Sequence, residues 1–174
     1  METKKTLSTF WQSVALGALS GSRATFGPMA ASHILSTSFS ETLKQSNFGF
    51  MQSPKTARAF KVMASGEVIG DKMPFVMDRI KPGSVTGRMA SGAIAGGSIY
   101  EAAGENSVIG LITGAVAALA ATFATFYVRN AIVKSTKIID PFAGAAEDAI
   151  MIVAAMCLIN KAIRPPKPND QLAG

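Results

Sequence analysis

The stretch NSVIGLITGAVAALAATFATFYV, residues 106–128, holds no charged side chain in 23 positions. At about 1.5 Å of helical rise per residue, such a run is long enough to cross a hydrocarbon core of about 30 Å. A buried helix of a soluble domain is the other reading, and the length favours a membrane span. Around it the chain is 48% hydrophobic, with a mean hydropathy of +0.29. The net charge is +6, but the cations flank apolar segments and form no stripe. With no zinc spacing and no interleaved aromatics, nucleic acid is not an expected partner. Cations at the ends of apolar runs are what spans display, and a lipid bilayer is the expected surrounding.

Outward from this run, four more segments read as spans: about 9–35, 59–77, 84–100 and 141–163. The expected fold is an all-α, polytopic membrane helix bundle of four or five transmembrane helices. It occupies residues 1–164 as a single integral membrane domain, with a Pro-rich flexible tail at 165–174. Lys4 and Lys5 precede an apolar run too long, and too interrupted by Arg23, for a cleavable signal peptide. The first segment is interrupted by SGSRATFGP, residues 20–28, which reads as a broken or re-entrant helix. Gly, Ser and Pro free backbone groups, and such breaks are tolerated in a bilayer where they line a cavity. Cations count eight on one side of a five-span topology and seven on the other, so they set no orientation. A faint echo between residues 20–32 and 85–98 suggests two related halves, 9–80 and 83–164, as in inverted-repeat transporters.

Small residues recur at helix-packing spacing. GxxxG pairs fall at Gly17/Gly21, Gly66/Gly70, Gly83/Gly87, Gly92/Gly96 and Gly110/Gly114. Five such pairs predict backbones in close contact, the packing mode that works without a hydrophobic drive. Tight packing within one chain is favoured over a dedicated dimer face. A small homo-oligomer is still expected, because 174 residues leave little room for a sealed pathway.

The charges inside the apolar segments carry the functional question. Arg23, Glu67 with Asp71, Arg88, and Glu147 with Asp148 all fall near span centres. Six such charges would cost on the order of 15–20 kcal/mol if left unpaired in a bilayer. They must therefore face one another or face water. Glu67 and Asp71 lie one helical turn apart on one face. Two arginines against four acids leave negative charge over, to be met by a proton or a cation. Three functions follow from this set. The first is a transporter or channel for a proton, cation or small solute, with these six residues as its pathway. The second is a metal-dependent enzyme acting on lipid headgroups. The third is a scaffold whose salt bridges fix helix register.

No catalytic nucleophile, P-loop or HExxH motif marks the chain. No cofactor is expected, no metal is assigned, and an enzyme is the less favoured class. The lone His33 reads as an interfacial polar residue, and the single Cys157 as a small apolar one.

Taken together, SGSRATFGP (20–28), GEVIGDKMP (66–74), GRMASGAIAGG (87–97), YVRNAIVKST and IDPFAGAAEDAI resemble a bacterial family of small membrane proteins, domain-of-unknown-function family 4126. The resemblance covers roughly residues 12–160. It implies a multi-pass protein of the bacterial inner membrane and no particular activity, so it adds no functional residue.

Overall fold

The computed structural model describes residues 2–38, 40–70, 81–136 and 140–163, with side chains over a slightly narrower set. Every regular element among them is helical. In chain order these are α1 (Glu2–Ser22), α2 (Phe26–Thr37), α3 (Glu41–Lys44), a 3-10 turn (Gly49–Gln52), α4 (Pro54–Gly70), α5 (Pro82–Ala102), α6 (Ser107–Thr136) and α7 (Asp140–Ile163).

Local sequence sets the helix ends. Pro82 opens α5 at a position where its missing N–H costs nothing. The α5–α6 connection turns on Gly104, whose φ of 74° is the left-handed region that suits glycine. There the Gly104 amide bonds the Glu101 carbonyl and the Glu105 amide bonds the Tyr100 carbonyl, closing α5 with a Schellman motif. Asn106 then caps α6 by accepting from the Val108 amide at 2.9 Å.

Helices α1, α5 and α6 form the tightest part of the bundle, and glycine makes them so. Gly92 on α5 lies against the Gly114 carbonyl of α6, where an added Cβ would sit 2.5 Å from that oxygen. Gly110 makes the reciprocal approach to Gly96 at the same 2.5 Å. Gly17 and Gly21 of α1 enter the adjacent groove of α6, against Gly114, Ala117, Ala118 and Ala121. No Cβ distance of this kind occurs in a relaxed protein, so these positions need the missing side chain. The register also fixes direction. α1 runs parallel to α6, with Gly17 at Gly114 and Gly21 at Ala118, while α5 runs antiparallel to both.

Not every glycine pair packs this way. A Cβ on Gly66 or on Gly87 would meet no described atom within 4 Å. Gly66, expected as a helix-packing position, lies on an exposed face of α4 with no described residue packed on it. Gly70 closes α4, and its surroundings lie outside the described residues.

The first apolar segment divides into two helices. α1 ends at Ser22 and α2 starts at Phe26. The chain then folds back: a Cβ on Gly27 would lie 2.5 Å from the Leu16 carbonyl, eleven residues earlier. A continuous helix would hold those residues about 16 Å apart. At its far end α2 leads to Ser40, whose hydroxyl donates to the Ala102 carbonyl at the end of α5. α1 and α2 thus form a hairpin with its tip at residues 23–25. The tip lies against Thr122 of α6, about 22 Å along that helix from its start and close to its midpoint.

Among the described residues one helix is long and apolar enough to cross a membrane. It is α6, over Ser107–Ala131, with a mean hydropathy of 2.0 and 22% of that span buried. Its buried stripe consists of Gly110, Gly114, Ala118 and Thr122. Its exposed positions include Val108, Ile109, Ile112, Val116 and Phe123. The pattern inverts that of a soluble helix, with the large apolar side chains outside and the small ones inside. Ala149–Asn160 of α7 is a shorter apolar stretch.

Candidate functional site

The hairpin tip leaves backbone groups without helical partners. The last carbonyls of α1 and the first amides leading into α2 must bond elsewhere, because buried unpaired groups cost about 1–3 kcal/mol each. Side chains from three other helices reach in to meet them.

Glu67 of α4 takes the amide side. Its Oε1 accepts from the Ala24 amide at 2.9 Å, and its Oε2 from the Thr25 amide, also at 2.9 Å. The Thr25 hydroxyl donates to the same Oε2. An anionic carboxylate is thereby held at the N-terminal end of α2, where the helix dipole favours negative charge.

Arg88 of α5 takes the carbonyl side. Its Nη1 donates to the Gly21 carbonyl at 2.9 Å. The Thr122 hydroxyl of α6 reaches the same oxygen at 3.0 Å and the Ala118 carbonyl of its own helix at 2.8 Å. A cation at the end of α1 again matches the local dipole. Arg88 as a whole is 7% exposed, and this contact is buried.

Arg23 sits at the tip itself and is 3% exposed. Its Nη1 donates to the Glu67 main-chain carbonyl at 3.3 Å. Two strands of contact therefore join the tip to α4, one through the Glu67 carboxylate and one through its backbone. Ser22, 1% exposed, completes the set. Its hydroxyl has no hydrogen-bond partner among the described residues.

Of the six charges expected to share a centre, the structure brings Arg23, Glu67 and Arg88 to the tip of the hairpin. Asp71 lies outside the described residues. Glu147 and Asp148 belong to α7, and their side chains lie outside the described set. Within the described contacts, Glu67 spends both oxygens on the α1–α2 break. Sequence reasoning missed Thr25, Thr122 and the Gly21 carbonyl. Thr122 does carry a signal: it extends the stripe Gly110, Gly114, Ala118 by one more four-residue step, as a hydroxyl in an alanine run. Among the described residues no cluster of three His, Cys, Asp or Glu side chains is placed to hold a metal.

No curated protein and no solved structure matches the chain. A family model, described as a domain of unknown function, matches residues 11–163. That interval takes in the hairpin, the glycine-packed helices and α7, so the chain belongs to the DUF4126 family.

Proposed function

We propose that the chain is a multi-pass integral membrane protein of the transporter or channel class. The hairpin tip is its polar centre, handling a proton, a cation or a small solute. The observation that carries this reading is the break itself. Two helix ends meet about halfway along the most apolar helix, held by Glu67, Arg88 and Thr122. Broken helices at bilayer mid-depth are where transporters place their binding sites, because helix ends supply partial charges to a passing solute. Ser22 adds a buried hydroxyl with no described partner at the same point.

The membrane part of the reading is supported by the apolar exterior of α6 and by its glycine-packed interior. Water would disfavour such an exterior, whereas hydrocarbon accepts it. In the bilayer α1 and α2 would form a re-entrant hairpin beside the spans α5, α6 and α7. Asp71, Glu147 and Asp148 complete the proposed pathway, and a small homo-oligomer would enclose it.

The second reading is a scaffold whose buried charges only hold the break closed. It is favoured by one specific feature, the full use of both Glu67 oxygens by groups of the break. Reconstitution into liposomes separates the two. Flux of protons, alkali cations and small organic solutes is measured for the wild type, Glu67→Gln and Arg88→Gln. Transport predicts a flux that both substitutions cut at least tenfold while the protein still inserts and remains folded. Absence of flux for every solute in the wild type, with the variants merely less stable, leaves the scaffold.

A further inference from the structure

A cleft of about 700 Å³ opens between α2, α4 and α7, on the side of the bundle away from the glycine contacts. Its size falls within the ~300–1,000 Å³ of small-molecule sites. The two ends of the cleft differ in chemistry. α2 rises from Phe26 to His33, while α4 runs the opposite way from Lys61 to Ile69. Their register is fixed where Thr25 meets Glu67 at one end and Ser32 meets the Met51 carbonyl near the other. Three residues separate α6 from α7, and α7 packs back against α6, which carries Asn160 to the end of the cleft that holds Lys61. Lys61, His33 and Asn160 thus mark one end, and Phe26, Ile69 and Ile152 the other. About 12 Å of helix separates them, from eight residues of rise on α4 and on α7.

Among the described residues the cleft carries charge of one sign: no described acidic side chain lines it, and Lys61 continues an exposed basic row with Lys55 and Arg58 on the first turns of α4. The outer wall is apolar and exposed at Ile69, Ile152 and Met156. A ligand matched to this surface has an anionic head, a long aliphatic tail and access from the side. We propose that the cleft binds one anionic phospholipid of the surrounding bilayer, its acyl chain along Phe26 and Ile152 and its phosphate at Lys61, His33 and Asn160. The proposal rests on the membrane reading and is independent of what the hairpin tip conducts. Lys61 supplies the charge, and Asn160 and His33 supply hydrogen bonds, which a zwitterionic lipid shares less well because its own ammonium faces the lysine.

The test uses the full chain purified in detergent. Phosphatidylglycerol and phosphatidylcholine with identical acyl chains are titrated in, and bound lipid is counted by native mass spectrometry. One phosphatidylglycerol per chain is expected to bind about tenfold more tightly than phosphatidylcholine, the scale that one or two surface charges set. Lys61→Glu should abolish that preference while leaving phosphatidylcholine unchanged. Ser65→Phe, at an exposed lining position, should fill the cleft and remove the saturable lipid in both series. Equal binding of the two lipids by the wild type overturns the proposal, as does wild-type binding by both variants. Failure of the membrane reading has a separate signature, release of the protein from cell membranes by alkaline carbonate before any lipid is added.

Discussion

Two sides of this bundle use the same small residues and reach opposite results. On the side of α1, α5 and α6, glycine pairs bring backbones within touching distance, and the polar groups that share the seam are serine and threonine hydroxyls and, at the Gly21 carbonyl, the Arg88 guanidinium. On the side of α2, α4 and α7, an added Cβ on Gly66 would meet no described atom, a cleft opens between the helices, and α4 is held by apolar contacts at Ala64 and Phe60 together with the hydrogen bonds of Glu67. Both halves carry directed hydrogen bonds, but backbone-to-backbone contact dominates the first, and the second leans on the bonds of Glu67. Shape-held helices have a single close approach. Helices held by a few directed bonds have an alternative once those bonds are exchanged, and motion on this side is the natural counterpart of the proposed transport.

The comparison breaks most visibly at Gly114, which touches both α1 and α5. Gly114→Val would drive a branched side chain into the Gly92 backbone, and neither helix can yield without leaving the other. We expect a loss of about 4 kcal/mol or outright failure to accumulate folded protein, since overpacking against backbone exceeds the ordinary cost of about 1–3 kcal/mol. Equilibrium unfolding in detergent reads this directly. A variant as stable as the wild type would mean that α1, α5 and α6 do not meet as closely as described.

Glu67 gives the next effect. Glu67→Ala removes acceptors from two amides and one hydroxyl, with a cost of about 2 kcal/mol after water fills part of the half-buried space. Glu67→Gln keeps one carbonyl oxygen for one amide and should lose about half as much. The ordering wild type, Gln, Ala in thermal stability is the check. If Gln and Ala prove equally damaging, the negative charge itself matters more than the bonds, and the helix-end electrostatics dominate.

What could be read in advance divides along the same line. The helices of the shape-held side were legible, because a charge-free run and glycines at four-residue spacing are local signals. The break at Arg23 was legible too, since Ser, Gly and Pro cluster around a charge that a continuous apolar helix would not hold. The partners of the buried charges were not. Glu67 and Arg23 are 44 residues apart, and electrostatics alone matches a carboxylate to an arginine side chain. Among the described contacts the carboxylate takes the Ala24 and Thr25 amides, and Arg88 Nη1 donates to the Gly21 carbonyl. Main-chain groups carry no residue letter, so their demand appears only once the break has a three-dimensional form. Gly66 meets no described partner for a related reason: a GxxxG pair records that two helices could approach, and only the fold shows which pairs do so within the chain.

Gly66 also supplies the smallest effect and the sharpest use of the comparison. It lies inside α4, exposed, with no described atom within 4 Å of an added Cβ. A glycine at such a position costs a helix about 1 kcal/mol relative to alanine, so Gly66→Ala should stabilise the chain by about 0.5–1 kcal/mol. The measurement is the unfolding midpoint at two protein concentrations. A gain at both concentrations leaves the exposed face of α4 uncommitted within the chain and between chains. A loss that appears only at high concentration has a different meaning. The Gly66 face would then be a seam between two copies, packed there as Gly114 is packed within one, and the two sides of the bundle would differ in their partner while sharing one mode of contact.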